Sequence, residues 1–258
     1  VAIAVLGILL FIVMRFVGVL ASKEMSGLDF AILILFSLCL AHLLFSFVLA
    51  VIGFILAIQN RDPLFLKSLS SIAADIETGQ NDDEIDHGIA IVVPAYREDL
   101  EKIVNRLGYL YRSLLEFPLF HHTDFYILSD SPKEDEEKEI AYWSRAVVIL
   151  GAQNKLFYRR REENKEKKSG NVKEFLERWG SRYKYFCVLD ADSMITGKAL
   201  LALHRVMEAD QKIGICQTAP RAVNGRSLFS RILEWNSLVY SRVFCYGFAF
   251  WQTDQANY

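Results

Sequence analysis

No CxxC pair, no GxGxxG and no GxxxxGK occurs anywhere in the 258 residues. The four cysteines, Cys39, Cys187, Cys216 and Cys245, are scattered and three of them sit in apolar runs, so disulfide and zinc readings are poor and a reducing compartment fits. Without a glycine-rich phosphate cradle, a dinucleotide fold or a P-loop has to be argued on other grounds. The net charge is only −2, which gives no global basic field and makes nucleic acid an unexpected partner. Charge is blocked locally instead, in DDEID (82–86), KEDEEKE (133–139) and RRREENKEKK (159–168), and such runs usually form solvated faces. There is no internal repeat and no low-complexity tract. The N-terminus lacks the basic start and small-residue cleavage site of a signal peptide. The chain opens on Val1 rather than Met and is expected to be a fragment of a longer protein.

What is present in excess is apolar: 52% of residues, concentrated at one end. Segments 1–20 and 30–58 are separated only by the polar link ASKEMSGLD. A bilayer core takes about 20 apolar residues as helix, so the pair predicts a transmembrane helical hairpin. Arg15 either snorkels or faces protein, and His42 is expected to pack against a neighbouring helix. Arg61 and Lys67 follow the second span, which weakly places residues from 59 onward in the cytoplasm. The expected division is 1–58 as two membrane helices, 59–88 as a juxtamembrane helix (63–79) with an acidic linker, and 89–258 as a globular domain.

In that domain apolar runs alternate with helical patterns. The runs are GIAIVVPAY, FYILSDS, KLFYRRR, YKYFCVLDADS and KIGICQTAP; segments 98–116, 134–149, 171–179 and 197–209 have helical period. In the third of these, Val172, Phe175, Leu176 and Trp179 mark one buried face. The alternation predicts an α/β fold with a largely parallel sheet, covered on both faces. Ligands in such sheets bind beyond the carboxyl ends of the strands. Pro94-Ala95-Tyr96-Arg97-Glu98, Ser129-Asp130-Ser131 and Asp190-Ala191-Asp192-Ser193 occupy those ends.

The DxD pair is the most specific of them. If the strand persists through Asp192, both carboxylates lie on one side and repel each other. A divalent cation, a buried proton or plain solvation would each relieve this, and Mg²⁺ or Mn²⁺ with a diphosphate is the chemically productive choice. KKSGN (167–171) precedes a helix, with Ser169 or Asn171 as its cap, and the helix start with Lys167 and Lys168 suits a phosphate as well as plain solvent. Asp130 could accept from a ring N–H or merely stabilise a turn. His121 and His122 are read as surface loop.

VVPAYRED, FYILSDS, LFYRRR…KKSGN, RWGSRYKYFCVLDADSMITG and GICQTAPRA, in this order, resemble the family-2 glycosyltransferases with a Rossmann-like GT-A fold. More narrowly they are similar to the branch that makes the β-1,2-linked backbone of osmoregulated periplasmic glucans, across 89–258. The resemblance implies a UDP-glucose donor, a divalent cation (Mg²⁺ or Mn²⁺), and inverting transfer to a growing glucan acceptor. It implies a multi-pass protein of the bacterial inner membrane, in contact with the lipid bilayer, with its catalytic domain in the cytoplasm and a periplasmic glucan-processing partner. By position, Pro94, Ala95, Tyr96 and Glu98 would edge the uridine, with Asp130 at the uracil and Lys168 and Asn171 near the nucleotide and diphosphate. Asp190 would face the ribose or diphosphate and share a metal with Asp192, the direct ligand. Gln217 and Thr218, followed by Ala219 and Pro220, would border the acceptor.

The family's acidic catalytic base and its QxxRW-type motif are expected beyond Tyr258, so the chain should bind donor better than it catalyses. Asp254 is read as a surface or capping residue rather than that base. Leu228, Phe229, Ile232, Leu233, Val239 and Phe244 recur at near-helical spacing among Arg226, Arg231 and Arg242. They read as core packing or as a helix at the membrane interface. Competing functions are a cellulose- or hyaluronan-synthase-like enzyme, a DxD phosphohydrolase, disfavoured because the motif ends the fourth run rather than the first, and a catalytically silent nucleotide-sugar sensor.

Overall fold

A computed structural model describes residues 2–22, 25–59, 72, 76, 88–218 and 220–252. The chain divides into two compact units, Val1–Lys67 with Lys212–Tyr258, and Ser68–Gln211.

The second unit is built on a parallel four-stranded sheet of order β3-β2-β1-β4. Its elements run β1 (Ile89–Ala95), α3 (Leu100–Leu114), β2 (Thr123–Ser129), α4 (Glu136–Leu150), β3 (Leu156–Arg160), α5 (Lys167–Trp179), β4 (Tyr185–Val188) and α6 (Gly197–Ala209). Register is set by Ile89 opposite both Thr123 and Tyr185, and by Phe125 opposite Leu156. The period of two divides β1 cleanly: Ile89, Ile91, Val93 and Ala95 pack with α3, α4 and α6, while Ala90 and Val92 pack with α5. Phe175 is the buried centre of that second layer, with Val172, Leu176 and Trp179 around it, as the helical period predicts.

The connections through α3 and α4 carry the chain outward from β1 to β3. The connection through α5 brings it back across the opposite face to place β4 beside β1. The strand order therefore reverses between β1 and β4, and the crevice beyond their carboxyl ends is the place such a sheet offers a ligand.

Three expectations need correction. The fifth apolar run, 212–220, forms no strand among the described residues: Ile215 is exposed, and a run this short, with Gly214 inside it, does not distinguish strand from loop. Helix α5 begins at Lys167, and its N-cap is Glu166 without a side-chain hydrogen bond, not Ser169 or Asn171. His42 is exposed rather than packed. The helix expected over 63–79 lies outside the described residues except for Ile72 and Ile76, both helical, with Ile76 packed on the sheet's core. Asp254 and Ala219 also lie outside them.

In the first unit α1 (Ala2–Leu20) is followed by a turn at Ala21 and Ser22, and α2 runs over Gly27–Ile58. Ser26 and Asp29 form a reciprocal capping box at the start of α2. The rings of Phe16 and Phe36 meet at 4.4 Å. Helix α2 is the described helix long and apolar enough to cross a membrane; α1 contributes the shorter apolar stretch Val5–Leu20. Helix α7 (Leu228–Gln252) packs along α2. Gly53 and Gly247 face each other's helices so closely that a Cβ on either would strike backbone, Val243 O in one case and Leu49 O in the other. The core-packing reading of 228–248 is corrected here: Leu228 and Phe229 are 78% and 70% exposed, and Ile232, Leu233 and Val239 are exposed as well.

Candidate active site at the carboxyl edge of the sheet

The edge is assembled first by backbone hydrogen bonds that outlast the strands. Asp130 N–H donates to Ala95 O at 2.9 Å, Leu189 N–H to Val92 O at 2.9 Å, and Arg161 N–H to Ser129 O at 3.2 Å. The first and third of these bonds hold Asp130 and Arg161 level with Tyr96, while Leu189, following β4, lies lower, opposite Val93. Tyr96 and Glu98 are exposed beyond β1, and Pro94 and Ala95 lie within it. Arg97 adopts φ +52°, and its N–H donates to Ser131 Oγ at 3.0 Å, which bends the loop after β1 over that after β2.

Asp130 is 8% exposed, and both its carboxylate oxygens accept from one guanidinium, Arg161, through Nε and, at 3.0 Å, through NH2. Arg161 closes a run of three arginines that ends β3, each turned to a different element. Arg159 donates to Asn171 Oδ1 at 2.5 Å and pairs with Glu174 at 3.1 Å, both on α5. Burial pulls the pKa of Arg159 down, against the opposing pull of Glu174. Arg160 pairs with Glu136 on α4 at 3.3 Å. The basic run is therefore no solvated face at 159–161, which corrects the charge-pattern reading. Asn171 is fully buried, and its amide is satisfied internally: Nδ2–H donates to Leu128 O at 3.0 Å while Oδ1 takes the Arg159 bond.

The segment from Arg161 to α5 is bent sharply. Glu166 and Lys167 have φ +57° and +48°, conformations that cost L-residues ~1–3 kcal/mol each. Arg161 NH1 donates to Lys165 O at 2.8 Å and NH2 to Lys167 O at 2.7 Å. Gly170 completes the bend, since a Cβ there would run into Lys165 O and Glu166 Cβ. Lys168, the residue after Lys167, reaches across the edge and pairs with the Asp190 carboxylate.

Strand β4 ends at Val188, so the DxD pair sits not on a strand but in a turn, closed by Ser193 N–H donating to Asp190 O at 2.9 Å. Both carboxylates are exposed, and solvent relieves the crowding that a continuing strand would impose. The turn is pinned from below: Arg106 on α3 donates to Ala191 O at 2.7 Å. Among the described residues no group of three His, Cys, Asp or Glu side chains forms a metal cage. Two exposed carboxylates in one turn still fit a hard cation whose remaining ligands are substrate oxygens and water.

Asp130, Lys168, Asp190 and Asp192 thus share one edge with the loop after β1. Gln217 and Thr218 are exposed and belong to the other unit. Arg106, Arg159 and Arg161 escaped the sequence reading. Arg106 is one of several polar positions on an amphipathic helix, and nothing in its spacing marks it. The arginine triplet does carry a signal, because three consecutive arginines directly after an apolar strand end are costly to bury unless each is paired.

Residues 90–255 match the family described as Glycosyl transferase family 2. Among curated proteins the chain is similar to the glucans biosynthesis glucosyltransferase H of Dickeya dadantii (strain 3937), 34% identical over 235 residues, covering 90% of this chain and 26% of the relative. The Escherichia coli (strain K12) protein of that name is 34% identical over 235 residues, 90% of this chain and 27% of the relative. The one from Xylella fastidiosa (strain 9a5c) is 38% identical over 173 residues, 66% of this chain and 27% of the relative. The narrower resemblance drawn from the motifs therefore holds as far as these names go, to glucans biosynthesis glucosyltransferases. The chain spans about a quarter of the length of these relatives.

Proposed function

Because the chain belongs to glycosyl transferase family 2, we propose that the carboxyl edge of its sheet binds UDP-glucose for inverting transfer of glucose to the β-1,2-linked backbone of a periplasmic glucan. The supporting observation is the convergence of Asp130, Lys168 and the Asp190–Asp192 turn around the point where strand order reverses. The names of the relatives supply the glucan.

In this reading Pro94, Ala95, Tyr96 and Glu98 border the uridine. Asp130, held in orientation by Arg161, keeps free lone pairs on its oxygens for a uracil N–H. Lys168, whose Asp190 partnership is solvent-exposed and so only weakly stabilising, can turn to the diphosphate. Asn171 serves from inside, tying the start of α5 to β2. Asp190 and Asp192 would hold Mg²⁺ or Mn²⁺ together with the diphosphate oxygens. Such an ion offsets the negative charge that develops on a departing UDP. Gln217 and Thr218 would border the acceptor.

We place α1 and α2 in the bacterial inner membrane as a hairpin, with the sheet-bearing unit in the cytoplasm. Helix α1, 19 residues at ~1.5 Å each, matches a ~30 Å hydrocarbon core. Its outward side chains Leu6, Leu10, Phe11 and Met14 are apolar and exposed, as a lipid-facing surface requires. Product would pass to the periplasm and to a glucan-processing partner there.

Membranes containing the intact protein, given radiolabelled UDP-glucose and Mg²⁺, should form a glucan whose linkage analysis yields β-1,2 bonds, and Asp192→Ala should abolish it. A purified chain with no measurable affinity for UDP or UDP-glucose refutes the reading.

A further inference from the structure

We propose that Arg161 is a positioning residue for donor binding: it fixes Asp130 and the 165–167 turn against each other, and thereby presents Lys168 to the donor's diphosphate. The inference rests on the donor-site reading above and names the residue through which two of its parts are coupled.

Arg161 is itself immobilised. It follows β3 directly, its N–H is bonded to Ser129 O at the end of β2, and it is 7% exposed. From that fixed point one planar guanidinium serves both sides of the site. Nε and NH2 take the two oxygens of Asp130, NH1 takes Lys165 O, and NH2 also faces Lys167 O and Asn164 Oδ1, the last at 3.1 Å. The turn so held contains two consecutive non-glycine residues in the left-handed region, Glu166 and Lys167. An unpinned chain would relax out of that conformation. It could start the helix later, on an ordinary Ser169 cap, and Lys168 would then leave the first turn of α5 and swing away from Asp190. The strained path survives because the two carbonyls at its ends both accept from the same charged group, and because Gly170 leaves room for the bend. A lysine cannot substitute: a single ammonium has no rigid fork with which to reach a carboxylate and two carbonyls at once.

The test is calorimetric titration of UDP into the full chain in detergent. Arg161→Lys should weaken UDP about tenfold, equivalent to ~1.4 kcal/mol. Lys168→Met should cost about tenfold in the wild-type background but less than twofold in Arg161→Lys, because the lysine it removes is no longer presented. A residue that only stabilises the fold would leave the Lys168→Met effect the same in both backgrounds. That result overturns the inference, as does an Arg161→Lys chain that binds UDP like wild type. Should Arg161→Lys fail to fold, Asp130→Asn with Arg161→Gln replaces the ion pair by a neutral one, and the comparison of Lys168→Met in that background carries the same two outcomes. A wild-type chain that does not bind UDP removes the donor-site reading and this inference together, whereas binding indifferent to Arg161 removes this inference alone.

Discussion

Asn171→Ala tests whether the asparagine of KSGN acts from inside the protein or on the ligand. Its side chain is fully buried and makes two bonds, donating to Leu128 O at 3.0 Å and accepting from Arg159 at 2.5 Å. A neutral buried hydrogen bond contributes ~1 kcal/mol and one to a charged group ~1.5–3 kcal/mol, with a further cost for leaving Leu128 O unsatisfied. Against this, Arg159 keeps Glu174 at 3.1 Å and Asn171 O at 3.2 Å, so its charge is not abandoned. The net loss should be ~2–4 kcal/mol, appearing as a fall of about 5–15 °C in the melting temperature of the sheet-bearing unit. Asn171→Asp retains an acceptor for Arg159 but turns the group facing Leu128 O from a donor into an acceptor in a buried site, so it too should melt below wild type. The assay is a thermal melt without ligand, paired with UDP titration well below the transition. Unchanged melting with a large loss of UDP affinity would refute the reasoning, since it would mean the amide faces the donor.

UDP affinity of the chain should rise when Mg²⁺ is added and fall back with EDTA, and Asp192→Ala should remove that increment while leaving the metal-free affinity within about twofold; titration with and without EDTA reads both. Burial pushes the Cys187 thiol from its ordinary 9.0 up to about 11, so at pH 8 only ~10⁻³ of it is thiolate, and its alkylation should be at least ~100-fold slower than that of a free thiol. The same shift means that the unfolded chain ionises first. The stability Cys187 contributes is present below pH 9 and is lost as pH rises towards 11, so Cys187→Ala should flatten the alkaline limb of a denaturation profile. Gly247→Leu should force α2 and α7 apart, because a side chain there meets the backbone at Leu49. A cysteine pair at Phe45 and Trp251, whose rings meet edge-on at 5.4 Å, should be bridged by a flexible bismaleimide in a chain otherwise free of cysteine and lose that crosslink in the Gly247→Leu background.

The sheet is legible in the sequence because each strand lies in an apolar run that gives way to polar residues, and Glu98, Asp130 and Asp190 mark the loops that form the edge, although β4 itself stops two residues before Asp190. Phe175 and its neighbours are legible for a related reason, since a periodic face needs no knowledge of its partner. The run at 212–220 has the composition of a strand but joins no ladder among the described residues, and pairing is the one property composition cannot carry. The start of α5 is hidden differently. Local rules favour a cap at Ser169, and a guanidinium anchored on another strand overrides them. Arg106 is hidden altogether, because its role is a single bond to the carbonyl of Ala191, 85 residues away.

The arginine triplet at the end of β3 bears on how the sheet finds its register. A strand shifted by one residue moves every side chain to the opposite face. With Arg159, Arg160 and Arg161 assigned in turn to α5, α4 and the loop after β2, a one-residue slip of β3 against β2 would break three ion pairs at once. It would also leave three positive charges in the interior with no acid in reach. The apolar part of β3 sets the register less sharply, since Phe157 is exposed and Tyr158 only half-buried. The charged end tolerates none, since a shifted guanidinium loses its acid, so β3 is aligned more tightly by its carboxyl end than by its apolar residues.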